Sequence, residues 1–264
     1  MTLTAYIDGI SVIGPGFADW PAAAAVLAGR ATYTAATTAL PIPLTLPAAE
    51  RRRTGRIVKL AIATGLEAAA QAGLTVATLT TVFSSSGADG DNCHEICQTL
   101  ASTDRQLSPT RFHNSVHNVP AGYWSIATGA MAASTTLCAY DASFAAGLLE
   151  ALTQVAILKS AVLLISCDTS YPPPLHEKRP IAEVFGTALA LLPEQTGRSI
   201  ARLSSRVDDG EADRLGAADL ERLRVSAPAG RALPLLALLA RRESGVVGLE
   251  YLGAARLRTE VQPC

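Results

Sequence analysis

Seven consecutive residues, Ala161–Cys167 (AVLLISC), would be apolar on both faces of an extended strand. A strand with one wet face alternates polar and apolar positions. A strand that does not alternate is covered on both sides, as in a sheet held between two layers of helices. The neighbouring segments fit that frame. Ala5–Ser11, Thr80–Ser84, Thr135–Tyr140, Phe185–Pro193, Ile200–Val207 and Val246–Tyr251 also read as strands. Helical patterns lie between them: Trp20–Ala28, capped by Asp19 and ended by Gly29; a longer one opening on Arg51, Arg52, Arg53 and Arg56 and running to Ala72; then Cys93–Leu100, Ala121–Ala130, Ser143–Leu158 and Ala232–Arg241. Residues 31–47 and 103–120 read as irregular loops. The alternation predicts an α/β fold, a layered α-β-α arrangement around a mixed, mostly parallel sheet.

Composition narrows the classes. The chain has 264 residues, 49% of them hydrophobic and 17% charged, enough to bury a large core and too apolar for disorder. A net charge of −1 gives no basic face for nucleic acid. The start MTLTAYIDGISVIGPG has no basic stretch followed by an apolar run, so no signal peptide is expected. No membrane span is expected either, because no uninterrupted apolar run reaches about 18 residues. Five cysteines are an odd number, which fits reduced thiols and a cytoplasmic location.

The chemistry concentrates between Ser108 and Glu150. A polar loop carries His113 and His117, and a later helix opens on Asp141-Ala142-Ser143, so polar groups lie beside a helix N-terminus that can hold an oxyanion. Cys138 would be a nucleophile if a helix dipole or an imidazole gave it thiolate character; otherwise it is a small buried strand residue. Ser143 would be a nucleophile or a helix cap, without the glycines of a G-x-S-x-G elbow. His113 and His117 would serve as base or orienting groups, or would bond the loop backbone. Cys93-His94-x-x-Cys97 has donor atoms for zinc but not a standard knuckle spacing, so no metal and no cofactor is expected. The SSSG run at 84–87 lacks the lysine and spacing of a phosphate loop and reads as a turn.

Four segments in register resemble the N-terminal half of a β-ketoacyl synthase, in the thiolase-like superfamily. They are Ile7–Gly16 (IDGISVIGPG), Phe83–Gly90 (FSSSGADG), Ser108–Gly129 and Phe185–Leu192. The FHNSVHN and DASFAAGLLEA segments also resemble the ketosynthase-like or chain-length-factor-like proteins of aryl polyene pigment pathways. The resemblance covers roughly residues 1–205 and implies a synthase-like domain over 1–207. Residues 208–264 would form a short, helical C-terminal tail packed on the same core, with ALPLLALLA covering its exposed face.

The resemblance implies a subunit that works on acyl chains carried by acyl carrier protein, paired with an active ketosynthase or with a second copy of itself. It implies substrate contacts from Phe83, Phe112, Tyr140 and Phe144, and a carrier dock at Arg51, Arg52, Arg53 and Arg56. Two departures from the family pattern imply impaired catalysis. About 60 residues follow the first half, too few for a second half with the family's two catalytic histidines. The family places its cysteine at a sharp strand-to-helix turn; keeping AVLLIS in register puts that turn on Ala142, four residues after Cys138. The competing expectation is a stand-alone acyl-thioester hydrolase or acyltransferase using Ser143 or Cys138 with a loop histidine.

Overall fold

The computed structural model describes residues 1–181 and 183–264. Its strands are β1 (Leu3–Ile13), β2 (Thr80–Ser84), β3 (Ser134–Leu137), β4 (Val162–Asp168), β5 (Phe185–Leu192), β6 (Ala201–Asp209), β7 (Gly245–Glu250) and β8 (Ala255–Pro263). Its helices are α1 (Trp20–Leu27), α2 (Ala48–Arg51), α3 (Arg56–Ala72), α4 (Gly90–Ala101), α5 (Pro109–His113), α6 (Val119–Thr128), α7 (Ser143–Leu158), α8 (Leu175–Lys178), α9 (Ala218–Ser226) and α10 (Leu233–Arg241). Short 3-10 turns at Tyr140–Ala142 and Pro228–Ala232 precede α7 and α10.

All eight strands form one sheet in the order β3-β2-β4-β5-β1-β6-β8-β7. Helices cover both faces. On one face Ile57 and Leu60 of α3 and Trp124 of α6 pack against Leu163 and Ile165 of β4. On the other, Leu148 and Leu152 of α7 and Leu235 and Leu236 of α10 share a core with Val82, Leu164 and Leu189. The layers approach closely where glycines allow it. A Cβ on Gly9 of β1 would lie 2.0 Å from the Ala68 carbonyl oxygen of α3, and one on Gly147 of α7 would lie 2.7 Å from Ser84 Oγ at the end of β2.

The expectation of a mostly parallel sheet is corrected. Only the β2–β3 and β2–β4 pairings are parallel. The other five, β1–β5, β1–β6, β4–β5, β6–β8 and β7–β8, are antiparallel. Helices on both faces remove the polar–apolar alternation from β4 and β5, so a continuous apolar run reports cover and not strand direction.

Two further segments differ from expectation. The arginines do not open one helix: Arg51 ends α2, Arg56 begins α3, and the Thr54 hydroxyl donates to the Arg51 carbonyl across the break at 2.9 Å. The loop 103–120 contains the one-turn helix α5, and Pro109 and Pro120 sit in first turns, where a missing N–H costs nothing.

The segment after 208 is not merely helical. α10 lies on the sheet, but β7 and β8 also extend the sheet beyond β6. Asp213 closes the outer edge of β7: its N–H donates to the Gly248 carbonyl at 2.8 Å, and its carboxylate accepts the Gly248 N–H at 2.6 Å. By length and composition, Tyr140–Leu158 is apolar enough to cross a membrane, yet half of that window is buried inside the fold, where Phe144, Leu148 and Leu152 pack on the sheet.

Candidate functional site

The carboxyl ends of β2, β3 and β4 converge, and the chain crosses to opposite faces of the sheet after β2 and β3. Open α/β sheets place ligands at such a switch point. Three loops meet here: Ser85-Ser86 after β2, Cys138–Ala142 after β3, and the segment following Asp168 at the end of β4.

Asp168 is the hub. It is 1% exposed, and its carboxylate accepts the Ser86 N–H at 2.8 Å, the Ser85 hydroxyl at 3.4 Å and the Ala229 N–H at 2.8 Å. Burial pushes its pKa up to about 6; the N–H donors of Ser86 and Ala229 and the Arg179 charge pull in the opposite direction. One carboxylate thus ties the loop after β2 to the Pro228–Ala232 turn before α10.

The strand-to-helix corner itself is Tyr140, whose φ of +54° lies in the left-handed region. Nucleophile elbows occupy such strained turns. Ala142, with φ −84°, is ordinary backbone, so the corner falls two residues before the expected position. The Arg179 guanidinium lies 3.5 Å from the centroid of the Tyr140 ring, donates to Asp141 Oδ1 at 2.7 Å and reaches Ser86 Oγ at 3.0 Å. Arg231 sits 3.8 Å from the other Asp141 oxygen. The corner therefore carries an aromatic ring under a cation, clamped by a carboxylate.

The candidate nucleophiles are otherwise engaged. Ser143 is fully buried at the start of α7; its hydroxyl donates to the Tyr140 carbonyl at 2.8 Å and accepts the Ala139 N–H at 3.1 Å. It closes the turn locally. Ser143→Ala is expected to lower stability by about 1–2 kcal/mol in a denaturant titration, through loss of two backbone hydrogen bonds. The exposed Cys138 lies just past β3, and its thiol donates to the Ser86 carbonyl at 3.1 Å. His117 Nε2 lies 3.1 Å from the Ser85 carbonyl, while the exposed His113 meets Tyr123 edge-on. Cys138 and His117 thus touch successive carbonyls of one dipeptide and are not hydrogen-bonded to each other.

The aromatic candidates divide by burial. Phe83 packs edge-on to Trp124 in the α3–α6 core, and Phe144 is fully buried in the α7 core. Phe112 and Tyr140 are exposed, at 69% and 61%. Arg52, Arg53 and Arg56 line a surface cleft of about 430 Å³ with Arg111 and Asp91, while Arg51 stands at the end of α2. Arg53 pairs with Glu50 at 3.3 Å, and Arg56 with Asp91 at 3.8 Å. Cys93 and Cys97 are exposed on α4; burial and then Cys97 raise the Cys93 pKa. Among the described residues, no three His, Cys, Asp or Glu side chains are grouped as a metal ion would need.

Of the residues that organise the corner, only Asp141 falls in the chemistry-rich segment 108–150; Asp168, Arg179 and Arg231 lie outside it. Asp168 had one sequence signal: a carboxylate closing a wholly apolar strand must find buried donors. Arg179 lies in the proline-rich stretch YPPPLHEKRP, and nothing local points it toward Tyr140.

Comparison with known proteins follows this geometry. The family described as "Beta-ketoacyl synthase, N-terminal domain" matches residues 20–242. Among solved structures, the complex of the ketosynthase ApeO with its chain length factor ApeC from Xenorhabdus doucetiae aligns over 98% of this chain and 99% of the matched chain, at 23% identity and a TM-score of 0.72. The ishigamide ketosynthase/chain length factor aligns over 98% and 99%, at 15% identity and a TM-score of 0.73. AntDE:AntF, a type II polyketide synthase acyl-carrier protein in complex with its hexaketide-bound ketosynthase, aligns over 99% and 100%, at 10% identity and a TM-score of 0.74. No curated protein matches. At these identities the solved structures establish a shared ketosynthase-type fold, and the matched span supplies the family: the chain belongs to the β-ketoacyl synthases, through their N-terminal domain.

Proposed function

We propose that this protein is a ketosynthase-like subunit without a nucleophile of its own. It pairs with an active ketosynthase and works on acyl chains delivered by an acyl carrier protein, in a fatty acid or polyketide-type pathway of the aryl polyene kind. The observation that carries this reading is Tyr140. The left-handed corner, where the family pattern calls for a cysteine, holds a tyrosine stacked under Arg179. The similar structures include a ketosynthase with its chain length factor and a ketosynthase with its carrier protein, which supports both partners. Against the alternative, a hydrolase or acyltransferase using Ser143 or Cys138 with a loop histidine, stand the Ser143 hydroxyl, committed to its own turn, and the Cys138 thiol, which donates to the Ser86 carbonyl and not to a histidine.

Edge strand β3 supports pairing with a second subunit. Thr81 N–H donates to the Ala133 carbonyl and Ser85 N–H to the Leu137 carbonyl, so the odd-numbered residues of this parallel ladder face β2. The N–H and C=O of Thr136 accordingly point to the outer edge, where no strand follows among the described residues. Exposed Phe112, Val116, Ile126 and Met131 lie on the connected segments before it. Arg52, Arg53 and Arg56 offer charges for an acidic carrier helix.

The test is co-expression with candidate ketosynthases of the source organism, followed by light scattering and a malonyl-dependent condensation assay. A one-to-one complex is expected, with turnover only in the complex. Thr136→Pro removes an outward N–H and leaves the β2 ladder intact, so it is expected to yield a folded protein that no longer pairs. A chain that stays monomeric beside its ketosynthase, or one that condenses alone, refutes the proposal.

A further inference from the structure

A second polar cluster adjoins the corner and shares Arg231 with it. A cleft of about 700 Å³ opens between α9, the end of β7 and the β7–β8 turn. Four arginines line it, Arg214, Arg224, Arg231 and Arg256, against three carboxylates, Glu211, Glu221 and Glu250.

The pairing within the cleft is uneven. Arg224 is paired with two carboxylates: Nε and Nη2 donate to the two oxygens of Glu221 at 2.8 and 2.7 Å, and Nη1 donates to Glu250 at 2.8 Å. Glu250 also accepts from Arg231 Nη1 at 3.1 Å, so one carboxylate oxygen serves two cations. Arg231 Nε is buried with no partner. Arg256 reaches only the Gly253 and Ala255 carbonyls, through Nη1 at 3.0 and 2.7 Å, and its Nε is likewise buried with no partner. Exposed Arg214 makes no side-chain hydrogen bond among those described.

Buried donors are nearly always satisfied, and charged ones are the costliest to leave open. Arg214 and Arg256 have no carboxylate partner among the described residues, and both line the same cleft as Arg231. Burial, opposed by Glu250, lowers the pKa of Arg231, so its charge is held at a cost that an added anion would relieve.

We propose that this cleft is a binding site for a phosphate-class oxyanion, held by Arg214, Arg231 and Arg256. A carboxylate has two acceptor oxygens, while a terminal phosphate offers three and carries up to two charges, one acceptor for each of the three arginines. The cavity has room for more than the ion alone, so the phosphate would come either free or as a monoester. The cleft shares Arg231 with the corner, but the inference uses neither Tyr140 nor Arg179, and its tests act on Arg214 and Arg256, which lie outside the corner.

The experiment is thermal unfolding and calorimetry of the full chain with inorganic phosphate, with glycerol phosphate, and with chloride at matched ionic strength. A saturable rise in Tm with either phosphate and none with chloride is expected. Arg214→Gln, which removes no hydrogen bond of the fold, and Arg256→Gln are expected to weaken binding about tenfold each. Arg206→Gln, on the exposed face of β6, is the control and should bind as the unchanged protein does. Tighter binding of glycerol phosphate would identify a monoester ligand, and equal or weaker binding the free ion. A shift that chloride reproduces, that Arg214→Gln leaves intact, or that never appears overturns the site.

Discussion

Incubated alone with malonyl and acyl carrier protein, the protein is expected to release no condensation product, at least about a thousandfold below an active ketosynthase, because covalent catalysis fails without its nucleophile. The reason lies at one backbone position. The left-handed residue between β3 and α7, at the strand-to-helix corner, is Tyr140. A phenol is a weak acyl nucleophile near neutrality. The Arg179 guanidinium covers the ring and is itself anchored by Asp141. Tyr140→Cys is the informative variant. A thiol there would sit beside Arg179 and the helix N-terminus, both of which favour thiolate. An acyl-pantetheine analogue bearing an electrophile is expected to label the introduced thiol of that variant about tenfold or more faster than Cys138, read by peptide mapping. Exposed Cys93, Cys97 and Cys264 supply the background rate. Turnover by the unaltered chain, or stoichiometric labelling of Cys138 or Ser143, would make the protein an enzyme in its own right.

The layered fold was legible because burial leaves a pattern in composition. β4 and α7 fall close to where their apolar runs place them, and α1 carries the expected Asp19 cap, with its carboxylate accepting the Ala22 N–H at 2.8 Å. Strand direction was not legible, since cover on both faces erases the alternation that would have marked β5 as antiparallel. β8 did carry a signal: Leu257, Thr259 and Val261 are buried, with Arg258, Glu260 and Gln262 between them facing out. The site was harder. Its thiols, hydroxyl and histidines stand out by residue type, but what decides their chemistry is a backbone angle at Tyr140 and contacts made from far along the chain. Arg179 reaches Ser86 and Asp141, and the Ala229 N–H reaches Asp168, across separations no local pattern encodes.

Asp168→Ala is expected to cost about 2–4 kcal/mol of stability and to loosen the C-terminal segment. Removing the carboxylate strands the N–H groups of Ser86 and Ala229, both held at 2.8 Å, and each buried orphan costs about 1–3 kcal/mol. Part of that loss is offset, because the mutation also removes a charge that burial disfavours. The offset depends on pH, and its sign is fixed. An unfolded aspartate titrates near about pH 4, whereas the folded Asp168 titrates near about 6. The folded state therefore binds this proton more tightly than the unfolded chain, and stability from this group falls as pH rises through that window. The stability difference between the unchanged protein and Asp168→Ala should be larger at pH 4 than at pH 7, since subtraction cancels every other titrating group. Hydrogen exchange locates the effect: the Ala229 amide and the Pro228–Ala232 turn should lose protection in the variant, while β4 and β5 keep theirs until global unfolding. A variant within about 0.5 kcal/mol of the unchanged protein, or a difference that grows from pH 4 to pH 7, would mean that Asp168 does not clamp the C-terminal segment to the loop after β2.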